Sequence, residues 1–307
     1  MTGWRCAASS VARGEPLLGT ASTLKAFLLV EQPGPWGTDA LLDSRLPSDV
    51  AGELHRRCRS SGVRPLLIRR HGRRPAADRT TVFAAYSEPG AAWVESSSVS
   101  SAEDLLAIDL PALGGGRSPR LTPHTGPLFL VCTHGRHDVC CAERGRPLAA
   151  ALGSAHPGST WEVSHIGGDR FAGNVLVLPQ GLYYGRLGIA DALMMAAKHL
   201  GGDLDLEHLR GRSGYSFAVQ AAEIYLRRHL AEASDGALAL LSTSRDRDQT
   251  TAVFAHGPAR WRVRVLTTRA TAEQLTCRST RTDRAPGFRL TGLSRLPAGL
   301  PPVGHTV

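Results

Sequence analysis

Lysine is nearly missing from this chain: only Lys25 and Lys198 occur, and almost all of the 36 basic residues are arginines dispersed among 27 acidic ones. The formal charge of +9 and the isoelectric point near 9.8 would suit a polyanion if the cations were clustered, because clustered cations gain by displacing counterions. No run of five basic residues exists, which argues against nucleic acid as a partner. Long apolar runs are also missing. Nothing approaches the roughly eighteen residues needed to span a bilayer, and the first residues lack a basic segment followed by an apolar stretch. A cytoplasmic protein with no membrane partner is expected.

Cysteine is scarce as well. Six over 307 residues are too few for a disulfide framework, and no Cys-x-x-Cys pair is present. In a reducing compartment a local group of cysteines points instead to metal or redox chemistry. Three fall within ten residues: Cys132, Cys140 and Cys141. The hydrophobic fraction of 42% and charged fraction of 21% are ordinary for globular proteins, so global disorder is excluded.

Periodicity divides the chain into three units, at 1–115, 116–205 and 206–307. The first reads as a strand over 27–30, a helix over 48–59, strands over 65–69 and 81–86, and a helix opened by Ser101-Ala102-Glu103-Asp104. A Gly/Pro/Ser-rich linker, 114–119, precedes a second unit with the same order. Here a strand over 128–131 leads into the cysteine loop, followed by a helix over 142–152, strands over 160–164, 174–178 and 182–185, and a helix over 190–200. Phe27-Leu28-Leu29-Val30-Glu31 lies over Leu128-Phe129-Leu130-Val131-Cys132, and Trp93-Val94 over Tyr183-Tyr184. This reads as a degenerate internal duplication in which Glu31 replaces Cys132, so the first copy lacks the metal-binding set. The third unit reads as a small α+β extension, with a helix over 215–230 and strands over 251–255 and 261–267. It offers no basic recognition helix of the kind a winged-helix DNA reader needs. The Pro/Gly-rich tail from Ala298 is expected to be mobile.

Chemistry concentrates in two loops. Cys132-Thr133-His134-Gly135-Arg136-His137-Asp138-Val139-Cys140-Cys141 joins a strand to a helix and places thiols at both ends. Cys141 falls at the helix start, where unpaired N–H groups favour thiolate. The second loop, 164–174, offers His165 and Asp169 across a Gly-Gly turn that lets backbone approach a prosthetic group. Cys132, Cys141, His165 and Asp169 together have the ligand number of a binuclear iron–sulfur cluster or of tetrahedral zinc.

These residues resemble the sucrase/ferredoxin-like family, whose cluster-bearing domain is similar to thioredoxin-like [2Fe-2S] ferredoxins. The resemblance is carried by Cys132-Thr133-His134-Gly135, Cys140-Cys141, His165-Ile166-Gly167-Gly168, Phe171-Ala172-Gly173-Asn174 and Tyr183-Tyr184-Gly185, and covers roughly residues 5–205. It implies an α/β fold of two tandem thioredoxin-like units, the first degenerate. It also implies sulfur ligation by Cys132 and Cys141, with nitrogen ligation by His165. Better-known members carry a second histidine where this chain has Asp169. A carboxylate there should hold the cluster less firmly and lower its potential. The function implied is non-enzymatic electron transfer to or from a redox partner protein. Sugar hydrolysis is not implied, since no pair of flanking carboxyl groups can be identified.

Other readings stay open. Cys140 could replace Cys141 as ligand or simply pack. His134 and His137 could join Cys132 and Cys141 around zinc in a structural protein. Cys141 could act as a nucleophile with Cys140 or Cys132 resolving, in a thiol-redox enzyme or sensor. Asp169 could pair with Arg170 or Arg136, and Arg136, Arg144 and Arg146 could be a solvated face or a docking patch.

Overall fold

The computed structural model describes residues 3–72 and 78–297; the tail from Ala298 lies outside them. The chain begins with a short helix, α1 (Cys6–Ala12), and then builds a first half of β1 (Ala26–Glu31), α2 (Ser48–Ser60), β2 (Val63–Arg69), β3 (Thr80–Tyr86), β4 (Trp93–Val99), α3 (Leu110–Gly114) and β5 (Thr122–Pro123). The second half runs β6 (Leu128–Cys132), α4 (Val139–Ala155), β7 (Thr160–Val163), β8 (Val175–Leu178), β9 (Leu182–Tyr184), α5 (Ile189–Leu200) and β10 (Leu209–Arg212). All ten strands share one mixed sheet, ordered β10-β9-β8-β6-β7-β2-β1-β3-β4-β5.

The two halves follow one topology. β1 pairs parallel with β2 and antiparallel with β3, which pairs antiparallel with β4. Likewise β6 pairs parallel with β7 and antiparallel with β8, which pairs antiparallel with β9. They meet where β2 and β7 run antiparallel, through Ile68 opposite Val163 and Arg69 opposite Glu162. The unbroken apolar runs of β1 and β6 follow from burial on both faces. Side chains alternate across a strand, so Leu28 and Val30 face α2 while Phe27 and Leu29 face a cluster shared by both halves. Leu128, Leu130, Cys132, Trp161 and Tyr183 complete that cluster, and α4 contributes Cys141 to it.

The remaining elements are α6 (Phe217–Leu230), β11 (Leu238–Asp246), β12 (Gln249–His256), β13 (Ala259–Arg269), a two-residue pair β14 (Glu273–Gln274) and β15 (Thr282–Asp283), and β16 (Pro286–Arg295). Strands β11, β12, β13 and β16 form an antiparallel sheet whose Phe254, Val263 and Val265 bury against Val219, Ala222 and Leu226 of α6. The same cluster includes Phe129 of β6 and Leu148 of α4. Among the described residues no helix is long and apolar enough to cross a membrane.

Several elements depart from expectation, and three of the departures have local causes. The strand β4 was not foreseen, because its serine run, Ser96 to Ser98, gives no apolar alternation; backbone pairing to β3 along its whole length sustains it. The helix expected to open at Ser101 is a 3-10 turn, Glu103–Ala107, followed by the five-residue α3. The break falls at Ile108 and Asp109, whose ψ values of 130° and 80° are not helical, and Asp109 caps α3 by accepting from Ala112 N–H at 2.9 Å. α4 starts three residues earlier than expected because Asp138 caps it, accepting from Cys140 N–H at 2.9 Å.

The contact that sets α4 on the sheet is Gly145 against the end of β6. A Cβ there would lie 2.0 Å from the Cys132 carbonyl oxygen, so only glycine permits this approach. Gly145→Ala is therefore expected to push α4 away from Cys132 and cost about 1–3 kcal/mol by overpacking, read as a lower denaturation midpoint. An unchanged midpoint would mean the helix is not held by this contact.

Candidate metal centre

Cys132 is the last residue of β6, and Cys141 lies in the first turn of α4. The sulfurs of these two residues and a ring nitrogen of His165 all lie within 4.8 Å of one another. Asp169 borders this trio: its Oδ1 is 3.3 Å from Cys141 Sγ and 3.0 Å from His165 Nδ1. The four residues singled out from the sequence thus converge beyond the carboxyl ends of the parallel strands β6 and β7. Loops at strand ends are where α/β sheets present functional groups.

The second loop is tethered by backbone. His165 N–H donates to His134 Nδ1 at 3.2 Å, and its carbonyl accepts from Arg64 at 2.8 Å. His134 Nε2 in turn donates to the Gly37 carbonyl at 2.7 Å. Both His134 ring nitrogens are thereby spent on backbone groups, so the zinc arrangement through Cys132, His134, His137 and Cys141 does not assemble. Gly167 and Gly168 take positive φ values of 98° and 80°, the left-handed region that favours glycine, and turn the chain so that Asp169 faces back toward His165.

Beneath this turn lies Arg210 of β10, fully buried. It donates to Gly167 O at 3.0 Å, to Asn174 Oδ1 at 2.8 Å and to Thr20 O at 2.5 Å. Asn174 Nδ2 donates to Gly168 O at 2.8 Å. A buried guanidinium held by carbonyls and not by a carboxylate positions the loop and adds positive charge below the site. Its burial lowers its pKa to about 10. The sequence offered no signal for Arg210, which lies 36 residues from Asn174 in a strand that was not foreseen.

The alternatives left open for Asp169 and Cys140 do not form. Asp169 faces His165, His137 and Cys141, while Arg170 pairs with Glu15 at 2.7 Å. Cys140 turns away from Cys132 toward Cys6 and Cys277. His137 is nearer the site than its sequence position suggested: it stacks on His165 with ring centroids 3.6 Å apart. His137, His165 and Asp169 form a second overlapping trio of donor atoms within 4.8 Å. Both histidines line an open cleft with Thr38, Asp39 and Arg64.

Electrostatics reverse the expected roles of the thiols. A hydrogen bond from Cys141 holds the Cys132 thiol well below its usual range; burial opposes this and His165 adds to it. The same contact and burial raise Cys141, and Asp169 raises it further. These directions favour Cys132 over Cys141 as the thiolate of the pair in the metal-free chain. Burial pulls His165 down, but Asp169 and Cys132 outweigh it and raise the imidazole to about 9. Burial opposes ionisation of Asp169, and the two histidines outweigh it and keep the carboxyl below its ordinary value. His165 Nδ1 is buried without an aligned hydrogen bond, and its nearest charged neighbour is the Asp169 carboxylate at 3.0 Å. Two sulfurs and a nitrogen, with a carboxylate oxygen beside them, are donor types that could hold a metal ion.

In the metal-free protein, thiolate absorbance in the ultraviolet should persist below the pH of an ordinary thiol, about 8.5. It should vanish in Cys132→Ser and survive in Cys141→Ser, where a hydroxyl still donates. Loss only in Cys141→Ser would reverse the assignment.

A family model described as sucrase/ferredoxin-like matches residues 17–211. Neither the curated proteins nor the solved structures contain a match to this chain.

Proposed function

The chain belongs to the sucrase/ferredoxin-like family, and from that premise we propose that it is an iron–sulfur electron carrier whose cluster is held by Cys132, Cys141, His165 and Asp169. The observation that carries this reading is the convergence of those four side chains, with the sulfurs on the β6–α4 side and the imidazole and carboxylate on the loop after β7. A [2Fe-2S] cluster held there supplies one-electron transfer, at a potential set by ligand identity, hydrogen bonding and exposure. The repeated strand order supports reading the two halves as tandem thioredoxin-like units, the first without ligands because Glu31 ends β1 where Cys132 ends β6.

Each residue has a separate task. Cys132 and Cys141 are fixed by the β6–α4 contact at Gly145. His165 and Asp169 are fixed by a loop anchored through Arg64, Asn174 and Arg210. Arg210 offsets the negative charge that two thiolates and a carboxylate bring to a buried site. His165 and His137 form the edge open to the cleft, a way out for an electron. The exposed guanidinium groups of Arg136, Arg144 and Arg146 suit docking of a redox partner with an acidic surface. A single zinc ion is the second reading, favoured by the compactness of the Cys132, Cys141 and His165 donors, all within 4.8 Å.

Anaerobic purification with visible absorption and iron and sulfide quantification tests the first reading. A red-brown protein with about two iron and two sulfide per chain, lost in Cys132→Ser and Cys141→Ser, is expected. Colourless protein with stoichiometric zinc would replace the first reading with the second. Within the iron-loaded protein, Asp169→His should raise the reduction potential by on the order of 100 mV, as imidazole replaces an anionic ligand. An unmoved potential would remove Asp169 from the ligand set.

A further inference from the structure

Cys140 and Cys141 are adjacent, yet their side chains serve two different groups. Cys140 Sγ lies 3.4 Å from Cys277 Sγ, and Cys277 Sγ lies 3.4 Å from Cys6 Sγ. Asp138 is fully buried beside them. It accepts from Cys140 N–H at 2.9 Å and from Cys277 N–H at 2.7 Å, and both its oxygens are 3.7 Å from Cys6 Sγ. One donor atom from each of Cys6, Asp138, Cys140 and Cys277 lies within 4.8 Å of the others. Ala7 and Ala172 wall the group with small apolar side chains. Cys6 and Cys277 fall outside the matched residues 17–211, and the group shares no residue with the centre described above.

We propose that Cys6, Cys140, Cys277 and Asp138 form a second metal site, which takes a single borderline-soft divalent cation of the zinc class and fastens α1 and the segment between β14 and β15 to the start of α4.

The spacing argues for one ion. Sulfurs bound at about 2.3 Å around a tetrahedral zinc are about 3.8 Å apart, close to the separations of 3.4 Å seen here. A disulfide draws two sulfurs to about 2.05 Å and would leave the third thiol unused beside a buried carboxyl group. The ligand types fit as well: thiolates select soft or borderline ions, and a carboxylate completes four-coordinate zinc. Cys6 N–H points at Cys277 Sγ from 3.3 Å, a donor that favours thiolate over thiol, as ligation requires. Binding would release the thiol protons to solvent, with no change in oxidation state. Around the group, Arg5 forks onto Glu143 of α4 at 2.6 and 2.8 Å, and Arg278 donates to the Arg136 carbonyl at 2.7 Å. These contacts hold the same segments in register without metal. The ion therefore locks an arrangement that is already assembled.

The test uses the full chain, reduced, stripped with chelator and then titrated with zinc alone. Thiol alkylation is mapped by peptide mass, because cleavage at arginine separates Cys6 and Cys277 from each other and from Cys132, Cys140 and Cys141. Alkylation of Cys6 and Cys277 is expected to slow by about a hundredfold when free zinc is about a hundred times its Kd. Cys277→Ser should lose about one zinc per chain while iron content stays unchanged. Equal alkylation rates with and without zinc would overturn the proposal, as would recovery of a disulfide-linked Cys6–Cys277 or Cys140–Cys277 peptide from protein kept reducing. If the variant does not fold, the unaltered chain decides through its alkylation rates. Iron content reads the first centre and protection of Cys6 and Cys277 reads the second, so either can fail alone.

Discussion

The placement of the first turn of α4 is the constraint on which both clusters depend. Two contacts fix it. The Asp138 carboxyl group accepts from Cys140 N–H and from Cys277 N–H, which satisfies one of the four unpaired donors that every helix N-terminus carries. One turn further on, Gly145 lies directly against the Cys132 carbonyl. With the helix start and its distance from β6 both set, consecutive side chains diverge by the helical rotation. Cys140 enters the group with Cys6 and Cys277, and Cys141 enters the group with Cys132, His165 and Asp169. A dipeptide that looks like a redundant pair in one dimension is divided between two side-chain groups in three.

The first centre combines rigid backbone with side chains whose electrostatic states depend on one another. Its loop is held by Arg64, His134, Asn174 and Arg210 through backbone carbonyls and N–H groups, so no donor residue has to secure its own position. The donors themselves interlock: Cys141 stabilises thiolate on Cys132, while Asp169 and Cys132 together hold a proton on His165. An added cation would take the place of that proton. The ten-stranded sheet places this group near the seam of its two halves, where Thr133 Oγ1 donates to Glu162 at 2.8 Å and Arg69 pairs with Glu162 at 2.7 Å. The cleft at the edge draws residues from both: Thr38, Asp39 and Arg64 come from the first half, and His137 and His165 from the second.

Much of this was legible in the amino-acid order because its cause is local. The apolar runs Phe27 to Val30 and Leu128 to Val131 announce doubly buried strands, and β1 and β6 stand where those runs predict. The Cys132 and His165 loops are bounded by strand and helix patterns, so the convergence of Cys132, Cys141, His165 and Asp169 could be reasoned from topology. Long-range partners left no such trace. Cys6 and Cys277 are separated by 271 positions, and neither stands near another cysteine or a histidine in sequence. β4, with its serines, and β10, with Arg210 and Arg212 buried, read as polar segments, because their stability comes from neighbouring strands and from partners elsewhere in the chain. His137 was weighed as a zinc ligand with His134. Only its stacking on His165 shows which of the two histidines stands at the centre.

In the proposed centre ligation is mixed, with His165 supplying the nitrogen and Asp169 the remaining oxygen. Pulsed electron paramagnetic resonance on the reduced protein, grown with heavy-nitrogen-labelled histidine, addresses this directly. A cluster held as described gives strong coupling to one histidine nitrogen, and that coupling disappears in His165→Ala. Coupling to two histidine nitrogens would put His137 in the place given to Asp169, and a reduced protein without a paramagnetic signal would contradict the iron–sulfur centre itself.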